Sequence, residues 1–150
     1  MLKSVSPGST EDFPTDAVLR RIRVPFVQRA TLARSGTEEE LFLVDLGLAG
    51  AFAERAEALT IGERISLSFH LPGNEIPIVA SCRVAWWNPA GESRLSRELP
   101  PGGGLEFVEI SEADRARVRR HLIEHFSGHG GLRRFHRPWP RSEEGGEEPS

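Results

Sequence analysis

Two consecutive stretches of the chain alternate apolar and polar residues with a period of two. In "ISLSFHL", residues 65–71, the apolar positions are Ile65, Leu67, Phe69 and Leu71. Beyond "PGNE", residues 72–75, the apolar positions continue as Ile76, Ile78, Ala80, Cys82, Val84 and Trp86. Strict alternation is typical of a β-strand that buries one face, and "PGNE" has the composition of a turn. The pattern therefore predicts a β-hairpin packed against a core.

Four other short segments have the composition of strands. They are "VPFVQRATLA" (24–33), "LFLVDL" (41–46), "GAFAE" (50–54) and "GGGLEFVEI" (102–110). Because alternate residues of a strand share one face, the inward-facing residues can be assigned from the pattern. The predicted core comprises Ile65, Leu67, Phe69, Ile78, Val84, Leu105 and Phe107.

One segment, "SEADRARVRRHLIEHF" (111–126), has helical rather than strand spacing. Ser111 is a suitable N-cap, and Val118, Leu122 and Phe126 would form one apolar stripe because they recur every four residues. Six short strands followed by a helix predict a mainly β protein. We expect a small six-stranded antiparallel β-barrel with a C-terminal α-helix.

The 150-residue chain is long enough for one domain with its own core. We expect residues 1–16 to be a flexible arm, 17–126 the domain and 127–150 a disordered tail, because both ends are poor in apolar residues. A single cysteine excludes an intrachain disulfide, and the first ten residues lack the apolar region of a signal peptide. No apolar run is long enough to insert into a membrane. These features predict a soluble, cytoplasmic protein, and the net charge of −3 argues against a nucleic-acid partner.

Enzyme motifs are scarce in this sequence. It contains no GxSxG, Walker A or HExxH motif, which favours a binding protein over an enzyme. His121 and His125 have a spacing that suits two metal ligands on one helix face, but no cluster of further ligands is placed to complete a site. We therefore predict no metal and two solvated histidines. Cys82 falls on the apolar side of its strand and is predicted to be buried and unreactive.

Two further features have structural interpretations. Trp86 and Trp87 are adjacent, so they would point to opposite faces of a strand. One is predicted to lie in the core, and the other is either an exposed ring able to stack on a base or partner, or packed at a sheet edge. "PPGGG" (100–104) lacks the Lys-Ser/Thr of a phosphate-binding loop and is interpreted as a flexible entry to a strand.

A basic segment, "LRRIRVPF" (19–26), suggests a ligand. It places Arg20, Arg21 and Arg23 within four residues, where the arm meets the first strand. Guanidinium groups bind phosphate with two parallel hydrogen bonds, pair with the O6 and N7 acceptors of guanine, and stack on flat rings. An anionic, guanine-bearing ligand would therefore suit this cluster.

A second segment, "VDLGLAGAFAE" (44–54), joins two predicted strands. Asp45 precedes Gly47 and Gly50 in one short reversal of the chain. A turn that only connects strands uses glycine, but it does not require an acid at this spacing. The segment is therefore a candidate part of a binding site.

The order of these motifs resembles that of the PilZ domain family, bacterial receptors for the second messenger cyclic di-GMP. The resemblance covers roughly Leu19 to Phe126. "LRRIRVP" is similar to the family's RxxxR motif, and "DLGLAG" is similar to its D/N-x-S-x-x-G motif. "CRVAW", "GGGLEF" and "EISEADRARVRRHL" are similar to its later strands and closing helix. The resemblance implies a PilZ-like β-barrel.

The resemblance also implies cyclic di-GMP as the ligand, with no other cofactor. It implies that Asp45 holds a guanine edge, that Gly50 lets the chain turn tightly beneath the ligand, and that the arginines clamp phosphates and guanine faces. The implied ligand-binding residues are Arg20, Arg21, Arg23, Asp45, Gly47 and Gly50.

The chain departs from the family pattern at two positions, which leaves two hypotheses open. Leu19 stands at the first arginine of RxxxR, whereas Arg23 matches the second, and Gly47 stands at the serine. The first hypothesis is a cyclic di-GMP receptor that signals through an unidentified protein partner in motility or signalling. The second is a PilZ-like adaptor that no longer binds the nucleotide. Under the first, we expect a Leu19→Arg variant to bind more tightly.

Overall fold

The computed structural model describes residues 16–128. Along the chain the elements are α1 (Asp16–Leu19), β1 (Arg23–Arg34), β2 (Thr37–Gly47), β3 (Gly50–Glu54), β4 (Arg64–Phe69), β5 (Ile78–Asn88), a 3-10 turn (Gly91–Ser93), β6 (Gly102–Ile110) and α2 (Glu112–Gly128). The predicted arm falls outside the described residues except for Asp16, which begins α1. Of the predicted tail, residues 127 and 128 belong to α2, and the remainder lies outside the described residues.

The six strands form a closed antiparallel barrel in the order β1-β2-β3-β6-β5-β4. Closure occurs because β1 pairs with both β2 and β4. The predicted hairpin is β4–β5, and its paired residues include Ile65 with Cys82, Leu67 with Ala80 and Phe69 with Ile78. The predicted fold class is therefore confirmed.

The start of β5 differs from the alternation pattern. Ile76 is exposed and precedes the strand, which begins at Ile78. Pro77 has no backbone N–H to donate, and the N–H of Ile76 donates instead to Oδ1 of Asn74, 3.0 Å away. The turn therefore extends two residues further than the apolar pattern suggests.

The core fills the barrel, and α2 closes one end of it. All seven predicted core residues are buried. Val118 and Leu122 of α2 are buried as well, and Phe126 packs against the same core from a partly buried position. Oγ of Ser111 accepts a hydrogen bond from the N–H of Asp114 at 3.0 Å, as expected of an N-cap. The predicted helix and its apolar stripe are confirmed.

Both tryptophans of the adjacent pair are buried, which excludes the exposed ring, one of the two alternatives for the second tryptophan. Trp87 packs over Gly103, where an added Cβ would lie 2.4 Å from ring carbons. Trp86 lies on the opposite face of the sheet, with its ring 5.7 Å from the ring of Phe52. "PPGGG" leads into β6 as predicted, and its glycine at 103 makes room for a tryptophan ring.

The segment between β5 and β6, residues 89–101, is held by hydrogen bonds to the side chain of Asn88. Its Oδ1 accepts from the N–H groups of Leu95 and Ser96, both at 2.8 Å. Its Nδ2 donates to the carbonyls of Ser96, Leu99 and Pro100 at 3.0–3.2 Å. Because Asn88 and Trp86 share one face of β5, these bonds bring the segment across the Trp86 side of the sheet. The side chain of Asn88 is fully buried in this arrangement.

Candidate functional site

The arginine segment is attached to the barrel by two apolar side chains. Leu19 and Ile22 are buried, at 1% and 0% exposure. Between them the chain turns, with the N–H of Arg21 bonded to the carbonyl of Val18 at 2.9 Å and that of Ile22 to Leu19 at 3.2 Å. The turn therefore directs Arg20 and Arg21 into solvent, where both are exposed. Residue 19 is a core position, so a Leu19→Arg variant would also have to accommodate a charged side chain in place of a buried apolar one.

Asp45 and Gly47 lie at the end of β2, and Gly50 begins β3. The two glycines are required for space rather than for an unusual backbone conformation. Neither glycine is among the described residues with positive φ. A Cβ at Gly50 would lie 2.1 Å from the carbonyl oxygen of Leu105 on the neighbouring strand β6. Gly50 therefore permits close approach of two backbones, which corrects the interpretation that it serves a tight turn.

Arg23 and Asp45 form an ion pair where β1 meets β2. Nη2 and Nε of Arg23 donate to Oδ1 of Asp45 at 2.8 and 3.1 Å, and Nη2 also donates to the carbonyl of Gly50 at 3.2 Å. Only 9% of the Arg23 side chain and 15% of the Asp45 side chain are exposed. Burial lowers the pKa of the Arg23 guanidinium, and the charge and hydrogen bonds of Asp45 oppose that shift.

The same Asp45 oxygen also organises β3. Oδ1 accepts from the backbone N–H of Phe52 at 3.1 Å, so it has three donors in total. Asp45 pairs with Pro25 on β1 and with Phe52 on β3, at irregularities in both ladders. A side-chain acceptor therefore holds three strands together where the ladders are irregular.

Gly47 lies directly beneath the guanidinium of Arg23. A Cβ at this position would be 2.8 Å from Nη1 of Arg23 and 3.1 Å from the carbonyl oxygen of Ile22. The missing side chain at residue 47 is what allows Arg23 to lie flat over the turn. Gly47 and Arg23 also face each other in the β1–β2 register.

The structure thus brings four of the six predicted ligand-binding residues into contact and leaves two beside them. Arg23 contacts Asp45 and Gly50 by hydrogen bonds and lies over Gly47. The side chains of Arg20 and Arg21 form no hydrogen bond or ion pair within residues 16–128. The sequence indicated which segments meet, but it did not show that Arg23 is buried.

The remaining chemical candidates lie away from this cluster. Burial raises the pKa of the Cys82 thiol to about 12, as expected of an unreactive cysteine. His121 and His125 are partly buried, so the expectation of two solvated histidines was wrong. The His121 ring packs edge-on against Phe26 at 5.4 Å, and burial lowers the pKa of its imidazole against the opposing charge of Glu124.

Two features are absent from the described part of the chain. Between residues 16 and 128, no three or more His, Cys, Asp or Glu side chains are grouped so that they could hold a metal ion. Over the same range, no helix has the length and apolar character needed to span a membrane.

The barrel, its closing helix and the paired arginine and acidic motifs define a PilZ-type domain. The family model "PilZ domain" matches residues 19–124, and the chain belongs to this family of cyclic di-GMP receptor and adaptor domains. No curated protein matches the chain at a significant level.

Two solved structures share the fold at low sequence identity. The Bacillus subtilis inhibitor of motility, MotI/DgrA, has 17% identity and a TM-score of 0.59 over 73% of this chain and 51% of that one. The PilZ domain of YcgR from Escherichia coli, solved with cyclic di-GMP, has 15% identity and a TM-score of 0.53 over 71% of this chain and 91% of that one. The chain therefore spans about half the length of MotI/DgrA and most of the YcgR domain.

Proposed function

We propose that this protein is a cyclic di-GMP receptor that signals through a protein partner. The observation that carries the proposal is the contact between the arginine segment and the β2–β3 turn. The Arg23–Asp45 pair joins the two motifs, and the carbonyl of Ile22 lies over Gly47. The exposed Arg20–Arg21 turn is thereby fixed beside an acidic side chain at one end of the barrel.

The chemistry of this surface suits the two parts of the ligand. Arg20 and Arg21 are exposed cations able to grip phosphate or stack on a guanine ring. Asp45 would accept hydrogen bonds from guanine N–H donors through Oδ2. Gly47 and Gly50 would shape the site indirectly, because the space of a side chain is filled by Arg23 at Gly47 and by the backbone of Leu105 at Gly50.

The proposal describes a binding domain without catalysis, acting in the cytoplasm. Support for a protein partner comes from the family and from MotI/DgrA, which is an inhibitor of motility. By analogy, we propose a partner in motility or signalling, and neither nucleic acid nor a membrane as a binding target.

Calorimetry with purified full-length chain and cyclic di-GMP tests the proposal. We expect saturable binding that is absent with cyclic di-AMP, which lacks the guanine edge. Replacing both Arg20 and Arg21 by alanine should weaken binding at least about tenfold, because a charge-assisted bond contributes about 1.5–3 kcal/mol. Arg29→Ala, an exposed arginine of β1 stacked on Phe42, is the matched control and should change nothing. If cyclic di-GMP gives no heat of binding and does not stabilise the protein against unfolding, the proposal is overturned.

A second function is favoured by two specific observations. Leu19, at the position of the first arginine, is part of the core, and Gly47 has no room for the family's serine without displacing Arg23. These features fit an adaptor that binds its protein partner without the nucleotide. The same calorimetry separates the two functions, and a pull-down with and without cyclic di-GMP would then show whether partner binding depends on the ligand.

A further inference from the structure

A small cleft lies between α2 and the turn that joins β4 to β5. Its volume is about 140 Å³, and because one water molecule takes about 30 Å³ of liquid, a carboxylate group and a few waters fit inside. None of the residues proposed to bind cyclic di-GMP lines this cleft. We infer that the cleft binds carboxylate groups, and that its occupant is the acidic segment of this chain at residues 142–150. The polar side chains that line the cleft include Asn74, Arg117, Arg120, His121 and Glu124.

The two walls of the cleft are fixed to each other by Arg117. From α2, Nη1 and Nη2 of this arginine donate to the carbonyl oxygens of Pro77 and Ile76, which follow the turn. Nη1 also donates to Oδ1 of Asp114 at 2.9 Å, so the charge of Arg117 is already balanced within the helix. The cleft is therefore held open by the protein itself, and Arg117 is not available to a ligand.

Two donors on opposite walls of the cleft have no acceptor among the described residues. Oδ1 of Asn74 accepts from the N–H of Ile76 at 3.0 Å, which fixes the orientation of the side-chain amide. Its Nδ2 donates to no residue between 16 and 128, and the guanidinium of Arg120 on α2 donates to none either. Both side chains are exposed. A carboxylate has two acceptor oxygens, so it can accept from both walls at once.

The helix wall of the cleft is rich in basic residues. Four of the six residues from 115 to 120 are arginines. Arg117 is paired with Asp114, whereas Arg120 forms no ion pair with any residue that the structure describes. Glu124 lies about one helical turn beyond Arg120 and opposes an incoming anion. A singly charged carboxylate is therefore favoured over a phosphate, whose additional negative charge would be repelled more strongly by Glu124.

A segment of the same chain has the required charge and is long enough to reach the cleft. Glu143 follows Gly128, the last residue of α2, by 15 residues, and a chain of that length can span up to about 50 Å. Arg120 lies only about 12 Å from Gly128 along the helix, at about 1.5 Å per residue. Tethering gives a segment an effective concentration on the order of millimolar, so weak contacts are sufficient. The acids of the segment "SEEGGEEPS" (142–150) are Glu143, Glu144, Glu147 and Glu148.

A spin label on the full-length chain tests where the segment binds. Ser142→Cys places the label beside the acids, and the native thiol of Cys82 stays unlabelled because it is buried. We expect the label to weaken the amide signals of Gly73 and Asn74 in nuclear magnetic resonance spectra. The signal of Gly36, in the β1–β2 hairpin at the opposite end of the barrel, should keep its full intensity. Equal weakening at both places, or none at either, would overturn the inference.

Neutral variants of the segment show whether its carboxylates hold it in the cleft. In the labelled chain, replacing all four glutamates by glutamine should restore the signals of Gly73 and Asn74. Salt at about 1 M, where the screening length is about 3 Å, should restore them as well. Signals that stay weak in the glutamine variant would mean that other residues of the tail dock there, which would overturn the carboxylate assignment.

Single variants of the labelled chain test the cleft itself. Arg120→Gln removes the unpaired cation, and Asn74→Asp removes the Nδ2 donor but keeps the Oδ1 acceptor of the turn. Each should lower the ratio of bound to free segment about two- to fivefold, as expected for an exposed ion pair. Glu124→Gln removes the opposing charge and should weaken the Gly73 signal further.

The matched control is Arg115→Gln, which removes the same charge from α2 at a residue that does not line the cleft. It should leave the weakening at Gly73 unchanged. If Arg115→Gln and Arg120→Gln restore the Gly73 signal equally, the segment is attracted to the helix as a whole and not bound in the cleft, and the inference is overturned.

Discussion

The two ends of the barrel hold the same kinds of charged group in different surroundings. At one end Arg23 and Asp45 are paired at 2.8 Å with little exposure. At the other end Arg55 pairs with Glu39 at 2.7 Å, and 38% of the Glu39 side chain is exposed.

The Arg34–Glu63 pair belongs to the same open end, also at 2.7 Å. The four side chains lie close enough that the charges of Arg34 and Glu63 influence those of Arg55 and Glu39. Distances are therefore nearly equal at the two ends. The difference is burial, because one partner of each open pair is more exposed, Arg34 at 34% and Glu39 at 38%.

Burial decides what happens when one partner is removed. A buried charge that loses its partner retains the full penalty of desolvation, whereas an exposed charge is solvated by water. The backbone bonds of the buried pair, to the N–H of Phe52 and the carbonyl of Gly50, reach a third strand, whereas those of Arg55 and Glu63 reach loop residues, Glu57 and Thr60. We therefore expect the Arg23–Asp45 pair to fix the positions of β1, β2 and β3 relative to one another. The pairs at the opposite end should contribute only a little to stability.

Asp45→Ala should have the largest effect. It removes the acidic partner of the buried Arg23 guanidinium and the acceptor of the Phe52 N–H, so we expect a loss of about 3–5 kcal/mol in the free energy of unfolding. Denaturant unfolding measures it, with Glu39→Ala at the open end as the matched control. Equal losses for the two variants would show that burial does not distinguish the ends.

Substitutions at Gly47 should have an intermediate effect. A Cβ there would meet Nη1 of Arg23 at 2.8 Å and the carbonyl of Ile22 at 3.1 Å. Gly47→Ala and Gly47→Ser should each cost about 1–3 kcal/mol, because the guanidinium must move away from its bonds. Ala49→Ser, an exposed position in the same turn, controls for the added hydroxyl in thermal melts. Full stability of both Gly47 variants would mean that Arg23 adjusts without losing Asp45.

The sequence was sufficient for most of the fold because local patterns specify it. Period-two alternation located β4 and β5, and Ser111 with the stripe of Val118 and Leu122 located the helix. The burial of Trp86 could not be predicted, because its ring lies on the outer face of the sheet beside Phe52 of another strand. Burial of this kind depends on long-range contacts that leave no periodic signal.

The location of the candidate site could be predicted from the sequence, but the burial of Arg23 within it could not. The motifs indicated that Arg23 and Asp45 belong together, and the structure pairs them. Whether an arginine is buried depends on what surrounds it, and here that includes the absent side chain of Gly47. The apolar residues Leu19 and Ile22 were the available hint, because spacing by three residues in the turn directs the intervening arginines outward.

Glu39→Ala should have a small effect that depends on salt. An exposed ion pair contributes about 0.2–1 kcal/mol at low ionic strength, and added salt screens it. We expect a loss in this range in denaturant unfolding at low salt and none at high salt. A loss that persists at high salt would mean that the Arg55–Glu39 pair behaves like the buried pair and not like an exposed ion pair.

A fall in pH should weaken the two ion pairs at the open end and lower the stability of the protein. The pKa of Glu39 is lowered from 4.5, chiefly by its hydrogen bond to Arg55, and that of Glu63 is lowered chiefly by its bond to Arg34. A carboxyl group with a depressed pKa in the folded state stabilises the fold above its unfolded pKa, and this contribution disappears as the pH falls through the folded pKa. Wild type should therefore lose part of its stability as the pH falls below about 4.5, the ordinary value for glutamate. The variant with both Glu39→Gln and Glu63→Gln should show a shallower decline in melting temperature over that range, because neither group titrates any longer. An equally steep decline in the variant would mean that these two pairs contribute nothing to the acid response, and that the contrast between the two ends lies in the buried pair alone.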